Sequence, residues 1–404
     1  MAQSNFTTLN DLVFPFNKYV LALPGWYPTW VDPLPGDFNQ RHIIGASLYT
    51  PQIVLFIGKD TSGTIKKTEV RYNQLSKHVI EIIVLYPKSR VELWDGLHSN
   101  LHFLSLFTKY SLLIKKRWGT PILLHSYIVI KGGLKGLILS RCWHLPLVLT
   151  ENWTIYYPND PGYLPNRNKG FKWTVHRVFA NVKWFLPVTN DLYGKVSKLV
   201  KKVPYTVVPN VVDTETFYLH DKTVGNGFRF VHVSTMIYQK NPQGLLRGFK
   251  AILDEHPQAS LLMVGPHPPE VKDYADALGF TEKNVRFTGA VPYKKVADYL
   301  INADALVLFS RYENLPCVIL EALCCGVPVI STAVGGIAEV IDNHNGILIE
   351  EGNEMQLISA LREMITHHTA FEPELISSNA IARYSYAAVG KNIYSVYKQV
   401  ADVE

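Results

Sequence analysis

The sequence predicts an α/β protein made of two Rossmann-like, doubly wound domains that face each other across a cleft. A chain of 404 residues is natural for two domains of ~100–200 residues, and 47% of its residues are hydrophobic, enough for two buried cores. Short apolar runs alternate with helical patterns, which is typical of parallel strands covered by helices on both faces. Such sheets bind ligands at the carboxyl ends of their strands, so we expect the functional site in the cleft.

The first domain is predicted to cover residues 1–208 and the second residues 209–384, with a C-terminal helix over about 385–404 crossing back to the first domain. Strands of the first domain are predicted at residues 19–23, 53–57, 79–85, 121–124, 147–150 and 184–188, with helices at 37–47 and 101–118. Strands of the second domain are predicted at residues 228–233, 260–265, 285–289, 305–309, 327–331 and 346–349, with helices at 242–254, 271–278, 294–301 and 316–325.

The charge and cysteine content narrow the class of protein. The formal net charge of +6 suits an anionic ligand or membrane surface but falls short of the basic stripe of a nucleic-acid binder. The four cysteines lack the spacing of a zinc site, so reduced thiols are expected. Residues 1–10 lack the pattern of a secretory signal, and no apolar run approaches the ~20 residues of a membrane span. We expect a cytoplasmic protein whose only membrane contact is peripheral, on the inner face of the plasma membrane.

The strongest functional signal is the segment 311–330, which reads Arg-Tyr-Glu-Asn-Leu-Pro-Cys-Val-Ile-Leu-Glu-Ala-Leu-Cys-Cys-Gly-Val-Pro-Val-Ile. It follows a buried strand, so it lies at the carboxyl end of that strand. Asn314 is a suitable N-cap and Pro316 suits the first helical turn. The helix start then presents free backbone amides around Leu315 and Val318, which attract a phosphate or a sugar hydroxyl.

Two glutamates of this segment lie eight positions apart. Glu313 precedes the helix, and Glu321 lies inside it, where its carboxylate can accept two hydrogen bonds from a ribose diol. The alternative interpretation is an ordinary helix with one surface glutamate and one paired glutamate.

The segment resembles the E-x7-E signature of family-4 retaining glycosyltransferases, which have the GT-B fold. The resemblance extends to residues 207–217, 231–241, 287–293 and 331–341, which together span most of the second half. It implies transfer of a sugar from a UDP- or GDP-type nucleotide-sugar donor to a glycan or lipid-linked hydroxyl. Bacterial enzymes of this type assemble surface polysaccharides, such as lipopolysaccharide or capsule, and glycolipids.

The resemblance also implies roles for individual residues. Glu321 would hold the donor ribose, and Glu313 the hydroxyls of the transferred sugar. Lys240 would neutralise the diphosphate, and the backbone near Val291 would contact the base. The helix start would complete the donor site with Asn314, Leu315, Pro316 and Val318.

Two sequence features bear on how the leaving group is stabilised. Family members commonly carry an arginine shortly before the lysine, and residues 234–239 contain none. No Asp-x-Asp motif occurs, so a divalent ion has no obvious carboxylate ligands. We therefore expect no metal and no other cofactor, with Lys240 and oriented dipoles stabilising the departing nucleotide diphosphate.

Three residues of the first domain are candidates by the same resemblance. Gly36 lies in a strand-to-helix loop that faces the donor phosphates in the family, and a plain turn is the alternative. His125 stands in a segment similar to the family's His-x-His, as either a catalytic residue or a satisfied core histidine. Asn152 replaces the histidine of the family's Thr-Glu-His segment; asparagine cannot act as a base near neutral pH but can hold a sugar hydroxyl.

Retention of the anomeric configuration can follow two routes. A double displacement needs a carboxylate nucleophile, and Glu151 is only a weak candidate. In the same-face route, which we prefer, the departing phosphate itself takes the acceptor's proton.

Two basic helical segments are candidates for contact with an anionic membrane. Residues 101–118 combine large apolar residues with a basic end, and residues 191–202 add Lys195, Lys198, Lys201 and Lys202. Ordinary packing on a sheet, with the lysines in solvent, is the alternative.

Two other classes of protein compete with this interpretation. A dinucleotide oxidoreductase would need a strand followed by Gly-x-Gly-x-x-Gly and an acidic residue ~20 positions later, and the sequence has none. A non-catalytic protein of the same fold that binds a nucleotide sugar or glycan stays open, because of Asn152 and the missing arginine. No nucleic-acid partner is expected.

Overall fold

The computed structural model describes residues 4–6, 8–88, 95–222 and 227–401. These residues form two sheets, one of eight strands in the order β1-β4-β5-β3-β2-β6-β7-β8 and one of six in the order β11-β10-β9-β12-β13-β14. The predicted fold class, two doubly wound α/β domains, is therefore confirmed. The limits of the domains at residues 208 and 384 stay a prediction.

The first sheet is parallel except at one edge. Its strands are β1 Ser4–Phe6, β2 Val20–Pro24, β3 Gln52–Asp60, β4 Glu69–Ser76, β5 Val79–Pro87, β6 Leu123–Tyr127, β7 Leu147–Glu151 and β8 Trp184–Pro187. Strand β4 pairs antiparallel with β1 and β5. The helices that accompany this sheet are α1 Asp37–Ser47, α2 Asp95–Trp118, α3 Lys131–Trp143, α4 Lys169–Phe179 and α5 Asn190–Leu199.

The second sheet is parallel throughout. Its strands are β9 Arg229–Val233, β10 Ser260–Val264, β11 Val285–Phe287, β12 Ala305–Leu308, β13 Val329–Thr332 and β14 Gly346–Ile349. Its helices are α6 Pro242–Ile252, α7 Pro269–Ala277, α8 Tyr293–Ile301, α9 Cys317–Cys324, α10 Glu354–His367 and α11 Pro373–Tyr384. Strands β12 and β13 are buried along their whole length, as expected for strands covered on both faces.

The last helix, α12 Tyr386–Val400, packs against α1 of the first sheet. The two helices approach closely at Gly45 and Gly390, where a Cβ on Gly390 would collide with the backbone of Gly45. The rings of Tyr49 and Tyr394 stack with centroids 5.7 Å apart. The chain thus returns from α11, which packs on α9 of the second sheet, to the first sheet.

Direct side-chain contacts join the two halves where the strands of each sheet end. Arg41 of α1 contacts Glu321 of α9, and Asn152, which follows β7, contacts Asn314, which lies in the loop between β12 and α9. The carboxyl ends of both sheets therefore meet at one place, the expected location of a ligand site in open α/β sheets.

Candidate active site

Glu321 is held by groups from both halves of the chain. Its Oε1 accepts hydrogen bonds from Nη1 of Arg41 at 2.7 Å and from the hydroxyl of Tyr293 at 2.7 Å. Arg41 also donates from Nη2 to Asp37 at 2.9 Å. The Arg41 and Glu321 side chains are only 7% and 5% exposed, so their ion pair is shielded from solvent. The carboxylate predicted to hold the ribose is thus occupied by an arginine of α1.

Glu313 is paired in a similar way within the second half. Its carboxylate accepts a hydrogen bond from the ammonium of Lys240, which ends a short 3₁₀ turn after β9. Gln239 donates from Nε2 to the other carboxylate oxygen at 3.3 Å and to the carbonyl of Tyr312 at 2.8 Å. The loop after β9 and the loop after β12 are therefore cross-linked, and the predicted cation and the predicted sugar-binding carboxylate lie side by side.

A chain of amide side chains crosses between the two halves beside these carboxylates. Asn152 donates to the side chain of Asn210 at 2.8 Å, and Asn314 donates to Asn152 at 3.3 Å. Asn210 in turn donates to the carbonyl of Leu315 at 2.8 Å, and Thr189 donates to Asn314 at 3.3 Å. The structure therefore places Asn152 within reach of the loop that carries Glu313, as the resemblance implies.

The start of α9 differs from the prediction in one respect. The N-cap is Pro316 and the helix begins at Cys317, so Asn314 is not the N-cap. Its side chain contacts Thr189 and Asn152 instead. Leu315 is buried, while Val318 is half-buried in the first turn. Because backbone amides of a first helical turn lack intrahelical acceptors, this end of α9 keeps the capacity to bind an anion.

The loop after β13 contains Gly335 and Gly336 of the family-like segment 331–341. Gly335 has φ of +57°, and a Cβ there would collide with the carbonyl of Glu313. The amide of Gly336 donates to the carbonyl of Asn314 at 2.9 Å. This loop therefore supports the backbone that carries the predicted sugar-binding residues.

Val291 lies in the turn between β11 and α8, two residues before Tyr293. It is half-buried against the core of the protein. Since the Tyr293 hydroxyl reaches Glu321, this turn borders the predicted ribose site, where the resemblance places base contacts.

Gly36 is the residue that precedes α1 and has φ of +79°. A Cβ there would collide with the backbone of Trp26 and Tyr27. The protein's own backbone therefore accounts for the glycine, and contact with donor phosphates stays a prediction for this loop. The helix that Gly36 starts carries Arg41, so the turn also fixes the position of that arginine.

The placement of His125 favours a satisfied core histidine over the predicted catalytic role. The side chain is fully buried in β6. Its Nδ1 contacts the hydroxyl of Tyr397 at 2.6 Å and its Nε2 that of Thr150 at 2.7 Å. Burial lowers the pKa of His125 well below its usual range. With both ring nitrogens satisfied inside the core, His125 joins β6, β7 and α12, which is the structural alternative of the prediction.

Glu151 is likewise enclosed by the fold. Its Oε1 accepts hydrogen bonds from the amides of Asn152 and Trp153, each at 2.9 Å. Its Oε2 accepts from the amide of Val129 at 3.0 Å and the hydroxyl of Tyr156 at 3.1 Å. Burial raises the pKa of this carboxyl to about 7. A carboxylate that anchors two loops with both oxygens is poorly placed to attack a sugar.

Two further properties concern cofactors and membranes. In the part of the chain that the structure describes, no group of three or more His, Cys, Asp or Glu side chains is arranged to hold a metal ion. The described helices also include none that is both long enough and apolar enough to cross a membrane.

Sequence reasoning missed Arg41, Tyr293 and Asn210, although they contact the predicted site residues directly. Arg41 lies 280 positions from Glu321, so no local pattern could indicate the pair. Tyr293 ends the segment 287–293 and Asn210 lies within 207–217, so both stood in family-like motifs without a stated role.

The geometry defines a site of definite chemical character. The ion pair of Glu313 with Lys240 lies just before α9, and the ion pair of Glu321 with Arg41 lies on the helix itself. Carboxylates accept hydrogen bonds from the hydroxyls of a sugar or ribose, whereas a cation beside a helix N-terminus binds phosphate.

Solved structures with this two-domain architecture define the fold class. Sucrose-phosphate synthase of Thermosynechococcus elongatus has a TM-score of 0.74 at 16% sequence identity, covering 95% of this chain and 98% of that chain. HepE of Anabaena, solved in complex with UDP, has a TM-score of 0.70 at 18% identity, covering 94% and 100%. At these identities the likeness concerns the fold, which is the GT-B fold of glycosyltransferases.

Sequence relatives then give the family. Residues 221–383 match the family described as glycosyl transferases group 1. TuaC of Bacillus subtilis (strain 168), a putative teichuronic acid biosynthesis glycosyltransferase, is 26% identical over 300 residues, 72% of this chain and 73% of TuaC. The Vi polysaccharide biosynthesis protein VipC/TviE of Salmonella typhi is 36% identical over 183 residues, 45% of this chain and 30% of that protein. The match over residues 221–383 and the names of these relatives support a glycosyltransferase, as the signature predicted.

Proposed function

We propose that this glycosyltransferase moves a sugar from a UDP- or GDP-type nucleotide sugar to a hydroxyl of a glycan or lipid-linked acceptor, with retention of configuration. The observation that carries the proposal is the convergence of Glu313, Glu321 and Lys240 on the start of α9. The spacing of the two carboxylates across one helix start suits a ligand with a sugar at one end and a ribose at the other.

Donor binding requires both carboxylates to exchange partners. In the ligand-free protein Lys240 pairs with Glu313, and Arg41 with Glu321. A donor diphosphate attracts Lys240 and releases Glu313 to accept hydrogen bonds from the transferred sugar. The ribose diol takes the place of the Arg41 contact at Glu321. The ion pairs thus keep the buried charges balanced until the donor supplies its own partners.

The transfer step is proposed to occur on one face of the sugar. The bond between the anomeric carbon and the diphosphate oxygen breaks, and the acceptor oxygen bonds to that carbon from the same side. The acceptor's proton passes to the departing phosphate, which carries the electron pair of the broken bond. The enclosed position of Glu151 favours this route over a covalent intermediate. Lys240 and the amides at the start of α9 stabilise the charge on the leaving group.

We propose that no metal ion takes part in this step. The sequence has no Asp-x-Asp motif, and the site offers a cation of its own in Lys240. We expect transfer by washed enzyme to be insensitive to EDTA. A strict requirement for magnesium would contradict the proposal.

The names of relatives support the choice of substrates. HepE was solved with UDP and, in another structure, with UDP-glucose. TuaC and VipC/TviE are named for the biosynthesis of teichuronic acid and of Vi polysaccharide. A nucleotide-sugar donor and a growing surface glycan as acceptor are the corresponding substrates proposed here.

A thermal-shift screen across nucleotides and nucleotide sugars tests the donor assignment. We expect a UDP or GDP compound to raise the melting temperature, and both Glu321→Ala and Lys240→Ala to reduce that shift. Glu363→Ala, on the exposed face of α10, is the matched control. A hit unaffected by both site variants would mean that the donor binds elsewhere.

We further propose that α2 docks the enzyme on an anionic membrane in the cytoplasm. This helix leaves Leu101, Leu104 and Leu112 exposed by 61%, 44% and 54%, and its last turn carries Lys115, Lys116 and Arg117. Exposed leucines beside a basic end are typical of an interfacial helix. The second basic segment contributes less, because Lys195 lies 3.8 Å from the carboxylate of Asp191.

Flotation with vesicles containing phosphatidylglycerol tests this docking. We expect the wild type to float and the double variant Leu104→Gln, Leu112→Gln to stay in the bottom fraction. Leu375→Gln, which changes an exposed leucine of α11, should float like the wild type. Wild-type protein that stays at the bottom would contradict the proposal.

A further inference from the structure

The first half of the chain contains a cavity of about 810 Å³ that the proposed donor site does not use. It lies where β2, β3 and β5 end and where α3 begins. Its wall combines basic residues, Lys59, Lys131 and Lys135, with aromatic side chains. Its position and size suit a second substrate, so its lining bears on the chemistry that an acceptor would need.

Lys135 is the most unusual group of this wall. It is 1% exposed, and its ammonium donates to the carbonyl of Pro24 at 2.7 Å. The same nitrogen lies 5.6 Å from the centroid of the Phe56 ring. Burial lowers the pKa of Lys135 to about 7. An ammonium carries three donors, and within the part of the chain that the structure describes its hydrogen bond is to Pro24, so donors of a buried amine remain for a ligand in the cavity.

Lys131 adds a second positive charge one helical turn before Lys135. Partial burial, and after it the charge of Lys59, lowers the pKa of Lys131. Two nearby lysines repel each other when both are protonated. An anion bound between them stabilises the protonated form of both. Lys131 is also the first residue of α3, so the dipole of this 13-residue helix adds to the positive potential.

Two acidic residues, Asp60 and Asp32, also line the wall. Asp60 accepts hydrogen bonds from the amide and hydroxyl of Ser62, at 2.9 and 2.6 Å, and from the amide of Ile65 at 2.9 Å. Its carboxylate is thus committed to its own loop. Asp32 is solvent-exposed at the edge of the cavity. These two carboxylates offset part of the lysine charge, and three lysines against two aspartates leave the wall with a formal excess of positive charge.

Aromatic side chains connect this cavity to the proposed reaction centre. Trp26 lines the cavity, and its ring lies 5.1 Å, centroid to centroid, from that of Trp153. Trp153 follows Asn152, which belongs to the amide chain beside Glu313. Phe56, Tyr86 and Phe103 form further apolar wall. Flat apolar rings suit the faces of sugar rings, which leaves the lysines to recognise charge.

We propose that this cavity binds an acidic saccharide acceptor, with the carboxylate or phosphate of the acceptor held by Lys135 and Lys131 and a sugar ring packed on Trp26. The inference rests on the proposed function, because it assigns the acceptor side of the same reaction. It adds the substrate class: the preferred acceptor carries a negative charge, and a neutral glycan of equal length binds less well.

Titration calorimetry with three saccharides of one length tests the proposal. The probes are trigalacturonate, maltotriosyl phosphate and neutral maltotriose. We expect at least one of the two anions to bind about tenfold or more tighter than maltotriose, since a hydrogen bond to a charged group contributes about that much. The better anion tells whether the site takes a carboxylate or a phosphate.

Variants assign the binding to the lysines. Lys131→Gln and Lys135→Met should each weaken binding of the anion about tenfold and leave maltotriose unchanged. Lys77→Gln, at an exposed turn of the first half, removes one charge elsewhere and is the matched control. Lys135→Met keeps the length of a buried side chain without its charge, and an unchanged melting temperature would show that it folds. Lys131→Gln needs no such check, because Lys131 is exposed at the rim.

Equal affinities for the three probes, no binding of either anion, or unchanged anion binding in Lys131→Gln would overturn the proposal. The donor screen on the wild type is read separately. Acidic saccharide binding without any nucleotide hit would refute the proposed function and keep the anion site. A nucleotide hit without saccharide binding would refute the anion site and leave the proposed function standing.

Discussion

Arg41 of α1 and Glu321 of α9 form an ion pair between the two halves of the protein, with 2.7 Å between Nη1 and Oε1. Tyr293 shares the same carboxylate oxygen, and Asp37 holds the other side of the guanidinium. Both partners are buried, so each charge depends on the other. The residue predicted to bind ribose therefore also fastens the two halves together in the ligand-free protein.

The first prediction follows from this burial. Arg41→Met should lower the free energy of unfolding by about 3–5 kcal/mol, because it leaves the buried Glu321 carboxylate without a cation. Glu321→Gln should cost less, because Asp37 still pairs with Arg41. The double variant should lose less than the sum, with a coupling of about 1–3 kcal/mol. Urea unfolding of the four proteins measures the cycle. Additive losses would mean that the pair does not exist in solution.

A second prediction concerns Glu313. Glu313→Gln removes the charge but keeps the shape, so hydrogen bonds to the hydroxyls of the transferred sugar become weaker as charge develops in the transition state. We expect kcat to fall about 100-fold or more, while the Kd for UDP or GDP changes little, because the nucleotide is held by other groups. Glu363→Gln should leave both values unchanged. A large loss of nucleotide affinity with normal kcat would contradict the prediction, because it would mean that Glu313 contacts the nucleotide and not the transferred sugar.

The third prediction separates backbone strain from steric collision at Gly36. Gly36 and Gly63 have nearly equal φ, +79° and +78°, but only at Gly36 would a Cβ collide with neighbouring backbone. Gly63→Ala should cost about 1 kcal/mol, the penalty of left-handed backbone alone. Gly36→Ala should cost clearly more and displace the start of α1, which carries Arg41. Thermal unfolding compares the two, and equal losses would show that the turn at Gly36 has room for a side chain.

A fourth prediction concerns the loss of folding stability at acidic pH. Burial lowers the pKa of His42 and of His232 to about 4, and that of His125 also falls. Each histidine stays neutral in the folded protein between pH 6.5 and 4, whereas the unfolded chain binds a proton there. The contribution of these histidines to stability is therefore full above about pH 6.5 and falls as pH decreases. At pH 5 each group accounts for about 2 kcal/mol of loss relative to pH 7.

Melting temperatures between pH 7.5 and 5 check this dependence. His42→Asn should reduce the loss of stability between pH 7 and 5, because one proton-binding difference disappears. His344→Asn changes a histidine that is exposed in the native protein, so its profile should follow the wild type. A wild-type melting temperature that is flat over this range would contradict the prediction.

The prediction of strands succeeded where apolar runs are continuous and missed the edge of the first sheet. Strand β4, Glu69–Ser76, pairs antiparallel and is mostly half-buried, so its residues alternate without a strong apolar run. The short strand β1 was missed for a related reason, since its three residues give no pattern. Strand β4 lies between the terminal strand β1 and β5, and its side chains are mostly only half-buried, so it needs fewer apolar residues than the central strands.

The candidate site, like the fold, was predicted from the sequence only in part. The motifs that contain Glu313, Glu321 and Lys240 could be recognised from their spacing. The structure places the pair of Glu313 and Lys240 just before α9 and Glu321 within that helix. The role of His125 was misjudged, because residue type alone does not tell a core histidine from one that faces a cleft. Its hydroxyl partners, Thr150 and Tyr397, come from two distant segments of the chain.

The two sheets, the family signature and the two carboxylates could be predicted from the sequence, since they depend on local periodicity and short spacings. The tertiary structure was needed to show which groups pair with those carboxylates, why position 36 requires glycine and that three lysines line one cavity. The reason is physical: burial and ion pairing depend on distances between residues that lie far apart in the chain, as Arg41 and Glu321 do, and only the fold sets those distances.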